Sequence, residues 1–251
     1  MTRAFPPGLA EVAASLDAEA GSFLDGTLHS DRVTCKVCCA PVDGYPMCHP
    51  CQARAQLKVS VADRVGVLVY AVEPDSQTYR VLRDYKGRRP GPSHRAIVSA
   101  LIALGLRGHT TCAQKLAGIA IDGWAVVPST RGRSTLRDLV RNATRSPSTE
   151  LSIRFTGAAG EREFRPDHWV VDGDGVPRHA LVIDDAWVTG AHAQSVAASL
   201  KRAGTEDVSI LTIARVLNPK WSPNRTFIHE HIHGGTFDWT RCPWTGGSCP
   251  S

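Results

Sequence analysis

The stretch from residue 179 to residue 195 constrains the fold more than any other part of the chain, because it has the pattern of a strand, a turn and the start of a helix. Residues 180–183 form a short, continuous apolar run that includes β-branched side chains, which is typical of a parallel strand buried on both faces. Residues 193–203 place apolar side chains on one helical face, and Gly204 provides a stop. The pattern predicts an α/β protein whose ligand binds at the carboxyl edge of the sheet.

Two carboxylates and a Gly-containing turn follow this strand. Asp184 and Asp185 could bind vicinal hydroxyls or, through oxygen, a hard cation such as Mg²⁺. The turn leads into a helix, whose N-terminal N–H groups and dipole favour a phosphate. The turn residues predicted to contact that phosphate are Thr189, Gly190, Ala191 and His192. A diol site and a phosphate site so close in sequence predict a ribose 5-phosphate ligand.

This run resembles the phosphoribosyl diphosphate (PRPP) motif of type I phosphoribosyltransferases, in which two acidic residues precede a Thr-Thr-Gly-x-Thr loop. Thr189 and Gly190 match that loop, whereas Val188 and His192 replace its first and last Thr. The resemblance implies that Asp184 and Asp185 are the catalytic pair and hold the ribose hydroxyls. The alternative is an ordinary buried strand whose Asp pair caps a helix or meets water.

Four cysteines near the N-terminus form two Cys-x-x-Cys pairs separated by nine residues. They are Cys35, Cys38, Cys48 and Cys51. Two such pairs can supply four thiolates to one tetrahedral Zn²⁺, and a closed four-thiolate site is structural because it leaves no open position for chemistry. Disulfides are the alternative, and a chain without an export signal is expected to stay in a reducing compartment.

The order of elements extends the resemblance. A four-Cys knuckle is followed by a strand at 65–72, by a short helix at 79–87 that begins with Tyr and ends in Lys-Gly, and by the PRPP motif. This order is similar to that of the ComF family over residues 33–217. Members of that family are type I phosphoribosyltransferase-like proteins, and some are linked to DNA uptake in competence.

Two further segments are candidates for binding a polyanion. Lys86 matches the Lys-Gly position of the family and could reach a diphosphate, or it could belong to a solvated loop with Arg88, Arg89 and other basic residues. A second buried strand at 124–128 ends in a loop that resembles the diphosphate-binding loop of the family, and Arg suits such a loop because it binds phosphate in a bidentate manner. The predicted ligand contacts in that loop are Ser129, Thr130 and Arg131.

Basic residues also occur outside the predicted pocket. Arg137, Arg141 and Arg145 are spaced along one side of a predicted helix at 134–145, which is usually a solvated face but could track single-stranded nucleic acid. Residues 146–168 lack apolar periodicity and predict a long loop, and such loops are often functional. In type I phosphoribosyltransferases a mobile loop in this region closes over the reacting centre, and here its basic candidates are Arg154, Arg162 and Arg165.

The C-terminal extension at 218–251 lies outside the ComF resemblance. His229, His231 and His233 alternate, so that on a strand they would share one face and could form a second metal site with Cys242 and Cys249. The simpler expectation is an ordered extension near the mouth of the site that helps to choose the acceptor. Earlier in the chain, a helix is predicted at 93–104. The segment after this helix contains a cysteine that is expected to be buried.

Length and composition agree with a globular protein that is one large domain or a domain with appendages, and the motifs and the family resemblance imply four parts. They are an N-terminal helical segment (1–30), a four-Cys zinc knuckle (31–56), a phosphoribosyltransferase-like domain (57–217) and the extension (218–251). The net charge of +5 is compatible with phosphate ligands or nucleic acid. No apolar run approaches the roughly 20 residues that cross a bilayer, so we expect a cytoplasmic protein without membrane insertion. The sequence is compatible with either a monomer or an oligomer.

Three hypotheses follow. The first is transfer of ribose 5-phosphate from PRPP to a nitrogen acceptor, with Mg²⁺ and with release of diphosphate. The second is a ComF-like accessory protein in DNA uptake or nucleic-acid handling, because zinc knuckles can bind nucleic acid. The third is a catalytically inactive sensor of PRPP or a nucleotide, which Val188 and His192 would suit.

Overall fold

The chain folds around a six-stranded sheet with helices on both faces. The computed structural model describes residues 5–87, 90–144, 148–158, 160, 162–173 and 175–251. The strands are β1 (Asp25–Gly26), β2 (Arg64–Val72), β3 (Gly123–Val126), β4 (Thr149–Glu150), β5 (Ser152–Phe155), β6 (Trp169–Asp172), β7 (His179–Trp187) and β8 (Asp207–Leu217). The α-helices are α1 (Leu9–Ala20), α2 (His49–Ala55), α3 (Gln77–Asp84), α4 (Pro92–Ala117), α5 (Thr135–Ala143), α6 (Ala191–Ala203) and α7 (Ser222–His231).

The central sheet has the strand order β1-β2-β8-β7-β3-β4. Only β1 is antiparallel to its neighbour, and all other pairs are parallel. The expected mixed α/β fold with a mostly parallel sheet is therefore confirmed. Every residue of β8 is buried, as expected for a central parallel strand covered on both faces.

Two apolar layers cover the sheet. On one face, α1, α3, α4 and α5 pack in a cluster that includes Leu101, Ile183 and Leu211. On the other face, α6 packs with Trp187 and with the four-Cys knuckle, which shares its buried cluster with Val67. The knuckle is therefore part of the core on this face of the sheet.

Helix α4 is much longer than the sequence pattern predicts, since it continues to Ala117 instead of ending near residue 104. Gly105 lies inside this continuous helix. The absence of a side chain there allows close packing against the sheet, since a Cβ would lie 3.0 Å from Leu211 Cδ2. By length and composition α4 could cross a membrane, but most of it is buried within the chain, as in the core helix of a globular protein.

The region predicted as a long loop contains regular structure. Strands β5 and β6 form an antiparallel pair, Phe155 opposite Trp169, and a short 3₁₀ helix (Pro166–His168) precedes β6. Ser195 Oγ on α6 accepts the N–H of Arg165 at 2.9 Å, and Ser199 Oγ donates to Pro166 O at 2.5 Å. We call β5, β6 and the described residues between them the hood, since these contacts fix it over α6.

The C-terminal extension also departs from expectation. His229 and His231 lie on helix α7, where residues two apart do not share a face, so the predicted row of histidines on a strand is wrong. The chain then returns to β1, where Asp25 Oδ1 accepts the N–H of Gly234 at 2.9 Å.

Candidate functional site

One cleft at the carboxyl edge of the sheet collects the predicted ligand contacts from three separate segments of the chain. It encloses about 900 Å³, including space open to solvent. All ten non-cysteine residues predicted for the site line it: Lys86, Ser129, Thr130, Arg131, Asp184, Asp185, Thr189, Gly190, Ala191 and His192.

The acidic pair lies inside β7 and not beyond its end, because this strand continues to Trp187. Asp184 is opposite Thr212 of β8, and its Oδ1 accepts the N–H of Asp185 at 2.9 Å. The carboxylates thus project from the C-terminal part of strand β7, and the hydrogen-bonded sheet fixes their position in the floor of the cleft.

Two residues that follow α3 hold Asp185. Tyr85 donates its hydroxyl to Asp185 Oδ2 at 2.8 Å, and Lys86 Nζ lies 2.5 Å from the same oxygen. Burial, followed by the charge of Asp185, raises the pKa of Tyr85 well above its usual range, so the phenol stays a donor. Lys86 is thereby placed at the acidic pair, while Tyr85 is a contact that sequence reasoning did not assign.

Asp184 is in a different electrostatic environment. Low solvent access, and then the neighbouring carboxylate of Asp185, raise the pKa of Asp184 to about 8, and the Lys86 ammonium acts in the opposite direction. Two adjacent carboxyl groups of which one holds its proton near neutrality are a place where a cation or a diol can bind with a change in protonation.

The turn from β7 to α6 has a conformation suited to an anion. Gly190 adopts φ +74°, and a Cβ at this position would lie 2.1 Å from Trp187 Cζ2. Thr189 Oγ1 accepts the N–H of Ala191 at 3.3 Å, and α6 begins at Ala191. The N–H groups of the first helical turn have no intrahelical acceptor and stand beside the cleft.

Two buried arginines hold the carbonyl groups of this turn. Arg54 Nη2, from α2 of the knuckle, donates to Thr189 O at 2.5 Å. Arg215 Nη1, from β8, donates to Val188 O at 2.7 Å and to Trp187 O at 3.3 Å. Because the carbonyls are engaged on the protein side, the turn presents N–H groups to a ligand. Neither arginine has a local sequence signal, since both partners are far away in the chain.

The loop after β3 forms the opposite wall. Val127 donates its N–H to Ile183 O at 2.9 Å as the strand leaves the sheet. Ser129 Oγ accepts the N–H of Arg131 at 3.3 Å, and Ser129 O accepts the N–H of Gly132 at 3.0 Å. This tight turn places hydroxyl groups and an exposed guanidinium at the rim, as a diphosphate would require.

The hood contributes the remaining wall. Arg162 lines the cleft, whereas Arg154 and Arg165 pair with Asp172 and Glu163. The His192 ring lies 5.4 Å from that of Trp169 and 6.3 Å from that of Phe155. His192 therefore joins the phosphate-side turn to the hood, a contact that the Thr of the family motif could not make.

The four predicted cysteine ligands form one buried cluster, with all sulfur atoms within 4.8 Å of one another. Cys38 Sγ lies 3.7 Å from Cys48 Sγ and 3.6 Å from Cys51 Sγ. Tetrahedral bonds of about 2.3 Å from zinc would separate two sulfur atoms by about 3.8 Å. The geometry can accept a structural metal such as zinc. Cys39 is outside the cluster, with its sulfur 3.3 Å from His29 Nε2.

The chain matches no known protein-family model, and no curated protein resembles it at a significant level. Among solved structures it is similar to a hypoxanthine phosphoribosyltransferase from Staphylococcus aureus, with 10% identity, a TM-score of 0.31, and coverage of 58% of this chain and 85% of that one.

Other predicted features lie elsewhere. Arg137 and Arg141 both pair with Glu150 of β4, which offsets the charge of the stripe. Arg145, Arg88 and Arg89 lie outside the described residues. Among the described residues none from 218–251 lines the cleft, so the extension is not at its mouth as expected.

Proposed function

We propose that the chain binds PRPP in this cleft and transfers ribose 5-phosphate to a nitrogen acceptor with release of diphosphate. The observation that carries the proposal is the convergence of three segments that are far apart in the chain, each predicted to contact part of PRPP. The run from the acidic pair to the turn into α6 (184–192), the loop after β3 (129–131) and Lys86 all line a single cleft. An ordinary buried strand with a capping Asp pair would not require the other two segments to meet it.

Each wall of the cleft has chemistry suited to one part of the ligand. Asp184 and Asp185 would bind the ribose hydroxyls. The turn from Thr189 to His192 would bind the 5-phosphate through N–H groups and the positive end of the α6 dipole. Ser129, Thr130 and Arg131 would bind the diphosphate, with Lys86 between the acidic pair and the anion.

Mg²⁺ fits the donor set, since hard cations prefer carboxylate and phosphate oxygens. When bound with the diphosphate, it would neutralise charge on the leaving group. In the transfer, the bond between C1 and the diphosphate oxygen breaks, a bond from C1 to the acceptor nitrogen forms, and the nitrogen loses a proton to solvent. The residues of the cleft would act by positioning and by stabilising charge.

The proposal includes a ComF-like arrangement in which the knuckle cysteines hold Zn²⁺ in a cytoplasmic protein. The support is the packing of the cluster against the same sheet face as α6 and the bond from Arg54 to the phosphate-side turn. The metal would thus be structural and would act on the cleft only through position.

The test is calorimetric titration with PRPP, with and without Mg²⁺, on the wild type and on the Asp184→Asn/Asp185→Asn double variant. Binding that needs Mg²⁺ and both carboxylates is expected, followed by release of diphosphate when an acceptor is supplied. Glu206→Gln is the control, because this exposed carboxylate pairs with Arg178 away from the cleft. Unchanged affinity in the double variant would remove the assignment, and binding without diphosphate release with any acceptor would identify a sensor.

A further inference from the structure

A second cluster of metal-binding side chains joins the C-terminal extension to helix α4. His109, Cys112, Cys242 and Cys249 offer one ligand atom each, and these atoms all lie within 4.8 Å of one another. The first two residues are separated from the last two by more than half of the chain, so no local spacing pattern could predict their meeting. None of the four lines the PRPP cleft.

Each half of the cluster is presented by a defined piece of structure. His109 and Cys112 are three residues apart on α4 and therefore project from the same face of the helix. Cys242 begins a tight loop in which its N–H donates to Gly247 O and its carbonyl accepts the N–H of Gly246, both at 2.8 Å. This loop brings Cys249 back to the same side.

The ring of His109 is oriented as a ligand. Its Nε2 lies 2.9 Å from Trp239 O, and because a carbonyl oxygen only accepts, Nε2 carries the proton. Nδ1 then has a lone pair, and it faces Cys112 Sγ at 3.8 Å and Cys249 Sγ at 3.6 Å. A histidine that donates its other N–H to a backbone carbonyl is the usual arrangement around a protein-bound metal.

The distances are those of a tetrahedral zinc site. With bonds of about 2.0 Å to nitrogen and about 2.3 Å to sulfur, a nitrogen and a sulfur ligand are separated by about 3.5 Å. His109, Cys112 and Cys242 are almost completely buried, which leaves little room for water as a ligand. We infer that these four residues form a second, structural Zn²⁺ site with one nitrogen and three sulfur ligands.

The site would fasten the extension across the core. Trp244 Nε1 donates to His109 O at 3.0 Å, and the Trp244 ring covers Gly66, where a Cβ would lie 2.9 Å from Cε3. These contacts lie close to the metal ligands. A bound metal would therefore hold the segment after α7 (232–251), in which the structure describes no helix or strand, against the core.

The first test measures zinc in the full-length protein, purified with a reductant that does not bind metal. Wild type is expected to hold one zinc for each of the two clusters, and Cys242→Ser/Cys249→Ser is expected to lose one equivalent while keeping the other. Cys39→Ser is the matched control, since this buried cysteine belongs to neither cluster, and it should keep the full content. An unchanged zinc content in the double variant would overturn the inference.

The second test uses the wild type alone, so that misfolding of a variant cannot obscure the answer. Native protein is alkylated with and without prior removal of zinc by a chelator, and the modified peptides are identified by mass spectrometry. Protection of Cys112, Cys242 and Cys249 that is lost with the metal supports the site. A disulfide among these three cysteines would overturn the inference. The same extent of alkylation with and without the chelator would also overturn it.

Discussion

Arg54 Nη2 donates a hydrogen bond to the carbonyl oxygen of Thr189 at 2.5 Å and so connects the cysteine knuckle to the turn that faces the candidate phosphate site. The same nitrogen lies 4.0 Å from Cys51 Sγ, and Arg54 is buried. A change in the position of α2 would therefore reach the turn directly. This hydrogen bond joins the knuckle to the turn at the edge of the cleft.

Arg54→Gln should weaken PRPP binding without abolishing the fold. A hydrogen bond to a charged donor contributes about 1.5–3 kcal/mol, which corresponds to a loss of roughly tenfold to a hundredfold in affinity if the turn loses its orientation. Calorimetry in the presence of Mg²⁺ measures this. Arg32→Gln is the control, since Arg32 also belongs to the knuckle but is exposed. Equal affinities for the two variants would contradict the coupling.

Cys51→Ser should act in the same direction through the metal. Removing one thiolate opens the four-sulfur site, so zinc content should fall by one equivalent and α2 should lose its anchor. The dissociation constant for PRPP should then rise at least as much as in Arg54→Gln. A variant that loses its zinc but binds PRPP as tightly as the wild type would show that the knuckle does not position the turn.

The contents of the cleft could be predicted from sequence because most of its residues lie in, or just after, strands that short apolar runs predict. Asp184, Thr189 and Ser129 each follow a recognisable apolar run, and parallel strands bring their carboxyl ends to one edge. Each strand and the turn that follows it are formed by neighbouring residues, so a short stretch of sequence is enough to predict them. The named residues line one cleft.

The second metal cluster was predicted only in part, since Cys242 and Cys249 were assigned to a site with the histidines of 229–233 and not with His109 and Cys112, and the buried arginines were not predicted. The predicted helix ended near residue 104, so His109 and Cys112 were not placed on it, whereas α4 continues to Ala117. Arg54 and Arg215 bind carbonyl groups more than 25 residues away. Interactions between distant parts of the chain leave no periodic signal, so only the fold shows them.

The protonation of Asp184 should make both stability and ligand binding depend on pH. Its pKa is raised to about 8 in the folded chain from the ordinary value of 3.8, so the unfolded chain releases this proton first. The contribution to stability is complete below about pH 4 and is lost as pH rises through about 8. Urea unfolding of wild type and Asp184→Asn should show the variant gaining relative stability from pH 5 to pH 8. A constant difference would contradict the shift.

Binding should show the opposite trend. Mg²⁺ prefers ionised carboxylates, so the affinity for PRPP with Mg²⁺ should increase from pH 6.5 to pH 9 in the wild type. Asp184→Asn cannot ionise at this position, and its weaker binding should change less over the same range. Calorimetry at several pH values gives the affinity of each protein as a function of pH. If the wild type and Asp184→Asn showed parallel profiles, the pH dependence would belong to a group other than Asp184.

Val188→Thr should strengthen PRPP binding. Val188 lines the cleft at the position where the phosphoribosyltransferase motif has a Thr, and its side chain is 45% exposed. A hydroxyl can therefore be added without burying an unpaired polar group, and one more bond to a charged phosphate would improve affinity by about tenfold. Val188→Ala removes the methyl groups without adding a donor and should give no gain. Equal affinities for Thr and Ala would place the phosphate elsewhere.

Gly190→Ala should damage the turn more than backbone strain alone can explain. The left-handed conformation of Gly190, at φ +74°, costs an alanine about 1–2 kcal/mol, and the new Cβ would also overlap Trp187 Cζ2 at 2.1 Å. Trp187 is fully buried and has little freedom to move, so the turn would have to shift and PRPP binding should be lost.

Gly118→Ala separates the two effects, because Gly118 has a similar φ of +70° but nothing within 4 Å of the added Cβ. It should lose only the strain energy and bind PRPP as the wild type does. Urea unfolding gives the stabilities of both variants, and calorimetry gives their affinities. If the two substitutions had equal effects on stability and on binding, the contact between Gly190 and Trp187 would have no role in shaping the site.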